Sequence, residues 1–403
     1  MGITMTEPIE PVSNCSPTHF PLFEEGPFAK VHAVLWLAGT EQRYVRRRLI
    51  FALLATWIPL AVLAAVQGRA IGPTWRESML MDVGMYARYL VTLPLLILAT
   101  PGFRRKLQII VHHFLDAELV KEPERESFFA NITAVLRWRD SVLAAVVLAA
   151  LAVANALTFS TLSVAEMPDS WRVAGTAGDR SLSLAGWWLV AVCEPLYNIA
   201  MLQLLYRLAL WWRFLWKTSR LNLHLNAAHP DGAGGLAFLG MVLPAFWLPL
   251  FAIAASGAGG LANLMLWTAA SFESFQYAIA AFAAALVALA AGPLVFFQGQ
   301  LRKAKRRAVL GCGALAGRQL RAFEEKWLGV SPAASAEMLQ SPDFSAVWDL
   351  NSTVTAMEKM NTLPFSPKQL VPLVVAALLP FLPVAAIETP VKDILWQMWK
   401  LVK

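Results

Sequence analysis

LIFALLATWIPLAVLAAV, Leu49–Val66, decides the fold class. It carries no charge over a length that can cross a hydrocarbon core as a helix, since about 20 apolar residues cover roughly 30 Å. Similar runs recur at Val83–Phe103, Ser141–Phe159, Trp187–Trp212, Leu236–Ala255, Phe275–Phe297 and Leu370–Ile387. The reading is an all-α, polytopic helical membrane protein with six to seven transmembrane helices.

Composition supports that class. Of 403 residues, 57% are hydrophobic and only 15% charged, against about a quarter charged in soluble domains. The net charge of +7 is not a nucleic-acid footprint, because the basic residues sit at the ends of the apolar runs. Cys15, Cys193 and Cys312 lie far apart and suggest neither a disulfide framework nor a metal site. The polar residues before Leu49 show no cleavable secretory signal.

Lys and Arg set the orientation. Arg43, Arg46, Arg47 and Arg48 precede the first run, and Arg104, Arg105, Lys106, Lys121, Arg125, Arg137 and Arg139 separate the second and third. Arg213, Lys217 and Arg220 follow the fourth; Arg302, Lys303, Lys305, Arg306 and Arg307 follow the sixth. The alternate connections hold only Arg69 and Arg76, then Arg172 and Arg180, then none. By the positive-inside rule the N-terminus and every basic connection are cytoplasmic.

Four regions follow. Residues 1–47 are a cytoplasmic lead with a short helix expected at Phe28–Ala38, and 48–297 hold six membrane helices. Between the second and third spans, 104–140 form a cytoplasmic helical hairpin that breaks near Glu122-Pro123. Residues 298–368 form a cytoplasmic helical layer, where Ser331-Pro332, Ser341-Pro342 and Ser366-Pro367 each fit an N-cap followed by proline at the first helical position. In 369–403, Pro372, Pro380 and Pro383 leave the seventh run open to a spanning or a re-entrant reading. An amphipathic helix over Val391–Lys403 follows it.

Chemistry is expected where polar residues interrupt this pattern. Glu194 lies about a third of the way along the fourth run, with Pro195 behind it. An ionisable group at that depth is costly and faces a cavity or a partner. At about 100° per residue, Tyr197 and Asn198 share its face. The bland reading is a hydrogen bond between helices, or a protonated acid packed inside. Arg88, near the outer end of the second run, sits toward the same leaflet and could reach the Glu194 layer; the bland reading is an interfacial arginine.

A second motif is the turn between the fourth and fifth runs, with His224, His229, Asp231, Gly232, Gly234 and Gly235. Its histidines and aspartate could hold a metal, although the spacing matches no metal motif. Its amides could cradle an anion, or Asp231 simply caps the next helix. No nucleophile–base set appears, so neither an enzyme nor a cofactor is expected.

LPLLILA at Leu93–Ala99, LNLHLNAAHPDGAGGLAFLG at Leu221–Gly240 and LPFSPKQLVPL at Leu363–Leu373 together resemble a bacterial family of integral membrane proteins with no assigned function. The resemblance covers most of Leu49–Ile387, implies a bacterial inner membrane, and carries no catalytic residues to transfer. The expected function is a channel or transporter-like protein for a small ion or solute, built around Glu194. The alternative is a membrane scaffold or sensor that binds a protein partner through its cytoplasmic layer. The bilayer is the one partner implied directly, and a homo-oligomer with a pore between subunits is compatible with either.

Overall fold

The computed structural model describes residues 20, 22, 41–73, 77–166, 169–175, 180–268, 270–327 and 343–387. Seven of its helices are long and apolar enough to cross a membrane. Among the described residues strand is confined to one antiparallel hairpin, β1 (Val173–Ala174) with β2 (Ser181–Leu182). The chain is a multi-pass helical membrane protein.

Helix α1 (Glu41–Val66) is the first candidate span. Helix α2 (Val83–Asp116) runs on well past its apolar part, because Leu107, Ile110, Val111 and Phe114 keep one buried stripe down its continuation. The chain turns through Ala117 to Lys121, with Glu118 in the left-handed region at φ 50°. It returns as α3 (Glu122–Arg139). The break thus falls before Glu122-Pro123. Pro123 sits in the first turn of α3, where its missing N–H costs nothing. Helix α4 (Val142–Glu166) follows after Asp140-Ser141, then the β hairpin, then α5 (Leu184–Thr218).

The fifth span differs from the expected Leu236–Ala255. Residues Ala237–Ala245 form a 3-10 stretch, and the spanning helix α6 is Trp247–Thr268. Pro244 and Pro249 interrupt a regular hydrogen-bond ladder here. Phe238, Leu239, Val242 and Leu243 are buried as protein core. Phe238 meets Phe114 at 5.1 Å, and Phe246 meets Phe103 at 4.8 Å. Hydropathy alone does not separate such a packed stretch from a lipid-facing one.

Helix α7 (Phe272–Glu325) is continuous from a span into the polar region beyond it. Against it packs α8 (Asp343–Lys359). Lys305 of α7 donates to the Met360 carbonyl just past the end of α8, at 2.9 Å. Helix α9 (Pro367–Ala385) is the seventh candidate span. Its prolines break it into α-helical and 3-10 pieces without stopping it. Gln369 reaches back to accept the Ser366 N–H at 3.2 Å, as expected for a capped Ser-Pro start. Phe381 meets Phe282 of α7 at 6.3 Å. The expected helices at Phe28–Ala38 and Val391–Lys403, and the Ser331-Pro332 and Ser341-Pro342 caps, lie outside the described residues.

Two ends of the bundle are distinct. One gathers the basic segments: the α2–α3 hairpin, the loop after α5, and the continuation of α7. Asn131 of α3 donates to the Phe214 carbonyl and to Thr218 at 3.1 Å each, tying the hairpin to α5. Phe20 and Leu22 are buried here as well, with Phe20 5.0 Å from the Phe214 ring. The other end holds the turn after α1 and the β hairpin. There Arg69 donates to the carbonyls of Ser170 and Trp171, at 3.4 Å each, and to that of Val173.

Candidate functional site

Glu194 and Arg88 meet. Arg88 Nη1 lies 2.8 Å from Glu194 Oε1, and the Tyr89 hydroxyl donates to the same oxygen at 2.8 Å. Glu194 and Tyr89 are buried, whereas the Arg88 side chain keeps 27% of its surface exposed. No hydrogen bond reaches Glu194 Oε2 among the described residues. A buried carboxylate normally fills its acceptor sites, so this one is half used.

Both helices are distorted where they carry the pair. In α2, residues Tyr86–Thr92 form a π-helical stretch, closed by a Leu93 N–H bonded to the Arg88 carbonyl five residues back. In α5, residues Leu189–Cys193 do the same, and the Glu194 N–H bonds the Leu189 carbonyl. Pro195 explains the second distortion. Lacking an N–H, it cannot bond the carbonyl four residues before it, and the ladder shifts by one. The Arg88 and Glu194 side chains project from these widened turns, a setting common at functional sites.

Tyr197 and Asn198 sit on the face expected of them, with different partners. The Tyr197 hydroxyl is 2.7 Å from Ser256 Oγ of α6, and its ring meets that of Tyr89 edge-on at 6.3 Å. Asn198 accepts from Asn155 of α4 at 3.0 Å. Its own amide nitrogen is buried without a hydrogen-bond partner among the described residues.

A cavity of about 250 Å³ lies beside the pair, lined by Arg88, Tyr89 and Glu194 together with Phe159, Arg172, Leu189, Gly260 and Asn263. The helices meet closely next to it. A Cβ on Gly259 would run into Ala87 and the Gly84 backbone, so α6 crosses α2 where neither can carry a larger side chain.

The other wall of this region centres on Asp82. Its Oδ1 accepts from the Met85 N–H at 3.0 Å and from Asn263 at 2.7 Å. Its Oδ2 accepts from Trp171 Nε1 at 3.0 Å and pairs with Arg172. Burial alone would push the Asp82 carboxyl up. The Arg172 charge and the hydrogen bonds from Asn263, Trp171 and Arg172 outweigh it, and hold the group below the ordinary carboxylate value. Both guanidinium groups flank Phe159, at 5.2 Å for Arg88 and 5.1 Å for Arg172.

Sequence reading did not single out Asp82, Trp171 or Asn263, and it placed Arg172 only as a sparse loop charge. Ending the fifth run at Ala255 put Asn263 in a connection, whereas it lies on a spanning helix. An Asp directly before an apolar run is the signal that was there to use.

The HPDGAGG turn resolves differently. Asp231 Oδ1 accepts the N–H groups of Ala233 at 2.8 Å and Gly235 at 3.1 Å, and Oδ2 accepts that of Ala237 at 3.0 Å. Partial burial raises its carboxyl pKa. The Ala233, Ala237 and Gly235 amides and His229 at 2.9 Å more than offset that and lower it. The anion in this cradle is the turn's own side chain. Gly232, Gly234 and Gly235 take φ of 67°, 66° and 94°, where a Cβ is strained. His224 leaves the turn and lines a separate cavity near Lys121. No group of three or more metal-ligating side chains occurs among the described residues.

Comparison with protein-family models, with curated proteins and with solved structures finds no match.

Proposed function

We propose that the protein is a channel or transporter-like protein for a small ion or solute, working through the Glu194 site. The observation that carries this reading is the half-used carboxylate. Glu194 keeps Oε2 without a hydrogen bond beside a cavity between candidate spans. A carboxylate oxygen open to a cavity between apolar helices is placed to take up a cation, a proton or a polar solute. Arg88 is the competing partner. As an occupant engages Glu194, Arg88 is free to swing toward the cavity it already lines, so the pair can act as a gate.

The test is flux into liposomes holding the purified protein. Glu194→Gln should lower flux by roughly tenfold or more, and Tyr89→Phe by less. Unchanged flux in Glu194→Gln removes the site assignment.

The same proposal puts the basic end and the N-terminus in the cytoplasm, supported by the positive-inside rule, and the bacterial inner membrane is what the resemblance implies. With α9 spanning, the C-terminus lies outside, and a periplasm-active reporter fused after Lys403 should be active. A silent reporter returns α9 to the re-entrant reading.

A scaffold or sensor role is favoured by one feature. Leu310 is 63% exposed on the α7 continuation and Trp348 is 73% exposed on α8. If a partner docks there, Trp348→Ser and Leu310→Ser should abolish its cross-linking without altering flux.

A further inference from the structure

A cavity of about 790 Å³ lies at the basic end between the loop after α5, the start of α3 and the α7 continuation. Lys121, Arg220, Lys303, Arg307 and His224 line it, and none of its described lining residues is acidic. No carboxylate lies within ion-pair distance of the four Lys and Arg side chains among the described residues. Glu124 touches this loop. It accepts the Asn222 N–H at 3.3 Å and stays off the lining.

The walls are built. Gln300 Nε2 donates to the Ser219 carbonyl at 2.7 Å and the Leu221 carbonyl at 2.6 Å, which fixes the loop on either side of Arg220. The His224 N–H bonds the Leu119 carbonyl at 2.9 Å, which holds the opposite wall beside Lys121. Lys303 and Arg307 are four apart on α7 and share one face. Four basic side chains lining one concavity give it a positive potential. The volume falls in the range of about 300–1,000 Å³ typical of ligand sites.

We propose that this cavity binds a phosphate-bearing anion, drawn either from a soluble phosphorylated compound or from the headgroup of an anionic phospholipid. Positive-inside charge explains why basic residues occur at this end, but not why these five surround a common space. Arg302 and Arg306, on the adjoining face of the same helix, do not line it. The site stands independently of the Glu194 reading.

The two faces of α7 supply the test, because each offers two positive charges. Full-length protein is titrated calorimetrically with inorganic pyrophosphate. In parallel it is reconstituted into nanodiscs of phosphatidylcholine with or without phosphatidylglycerol, and retained lipid is quantified after detergent extraction. Lys303→Gln/Arg307→Gln should weaken whichever binding is seen by roughly tenfold or more, as expected for lost charge-assisted hydrogen bonds. The charge-matched Arg302→Gln/Arg306→Gln should change it by less than about twofold. Selective loss of pyrophosphate binding supports the soluble source, and selective loss of phosphatidylglycerol retention supports the lipid source. Equal loss in both variants, or no binding to either probe by wild type, overturns the proposal. Equal thermal midpoints for the two variants guard against misfolding.

Discussion

The cavity between the spans and the cavity at the basic end are both lined by arginine, yet only the first supplies each guanidinium with a carboxylate. Arg88 faces Glu194 and Arg172 faces Asp82, while Lys121, Arg220, Lys303 and Arg307 line their cavity without a carboxylate in ion-pair reach among the described residues. The difference follows from solvent. Among apolar helices an uncompensated charge costs several kcal/mol, so compensation has to be built into the fold. At the basic end, water and mobile anions supply it, and the chain can leave its cations unpaired. Around the first cavity a second contrast holds: Asp82, behind Arg172 and Asn263, takes four hydrogen bonds, whereas Glu194 takes two on one oxygen.

The strongest way to break this comparison is at Asp82. Asp82→Ala leaves Arg172 buried without its carboxylate and should cost about 3–5 kcal/mol, read as the largest fall in thermal midpoint in detergent. The double variant Asp82→Leu/Arg172→Met should recover much of it. If the single change is silent, Asp82 is no lock.

Glu194→Leu should cost less, about 2–3 kcal/mol, because the partly exposed Arg88 can turn into the cavity. A cycle with Arg88→Met should give a coupling above about 1 kcal/mol. Additive effects would mean that the pair is not formed in the membrane.

Asp231→Ala removes the acceptor for three backbone N–H groups at the basic end and should cost about 1–2 kcal/mol. Its pH dependence has a definite sign. The folded pKa lies below the ordinary carboxylate value, so the contribution is complete above about pH 4 and is lost as pH falls through the folded value. Midpoints measured at falling pH should show an acid-side decline that Asp231→Asn reduces.

The smallest stability effect belongs to Lys303→Gln/Arg307→Gln. Without added anion it should leave the midpoint unchanged or slightly raised, because it relieves repulsion and breaks no ion pair. A clear fall would show that these cations are compensated after all.

Much of the candidate site was legible before its geometry was known. Glu194 declares itself as a charge inside an apolar run, Pro195 as a break in the ladder, and Tyr197 and Asn198 follow from helical periodicity. Arg88 could be placed in the same leaflet, but its bond to Glu194 could not, because 106 positions separate them. Asp82 and Asn263 are 181 positions apart, and Asn263 was hidden further by an apolar stretch that packs as core. The cap at Asp231 was one of three readings, and three backbone amides within six residues do bond its carboxylate.

By itself the sequence determined that this is a helical membrane protein, where its spans begin to within about three residues for five of the seven, and which ends carry the positive charge. Those features follow from bilayer thickness and from the cost of exposing backbone and charge to hydrocarbon, and both act on contiguous residues. Only the tertiary structure decided that the fifth span starts at Trp247, that Phe20 and Leu22 are buried at the basic end, and which carboxylate is saturated and which keeps an oxygen free. Those depend on which distant side chains share a space, and neither hydropathy nor periodicity records that.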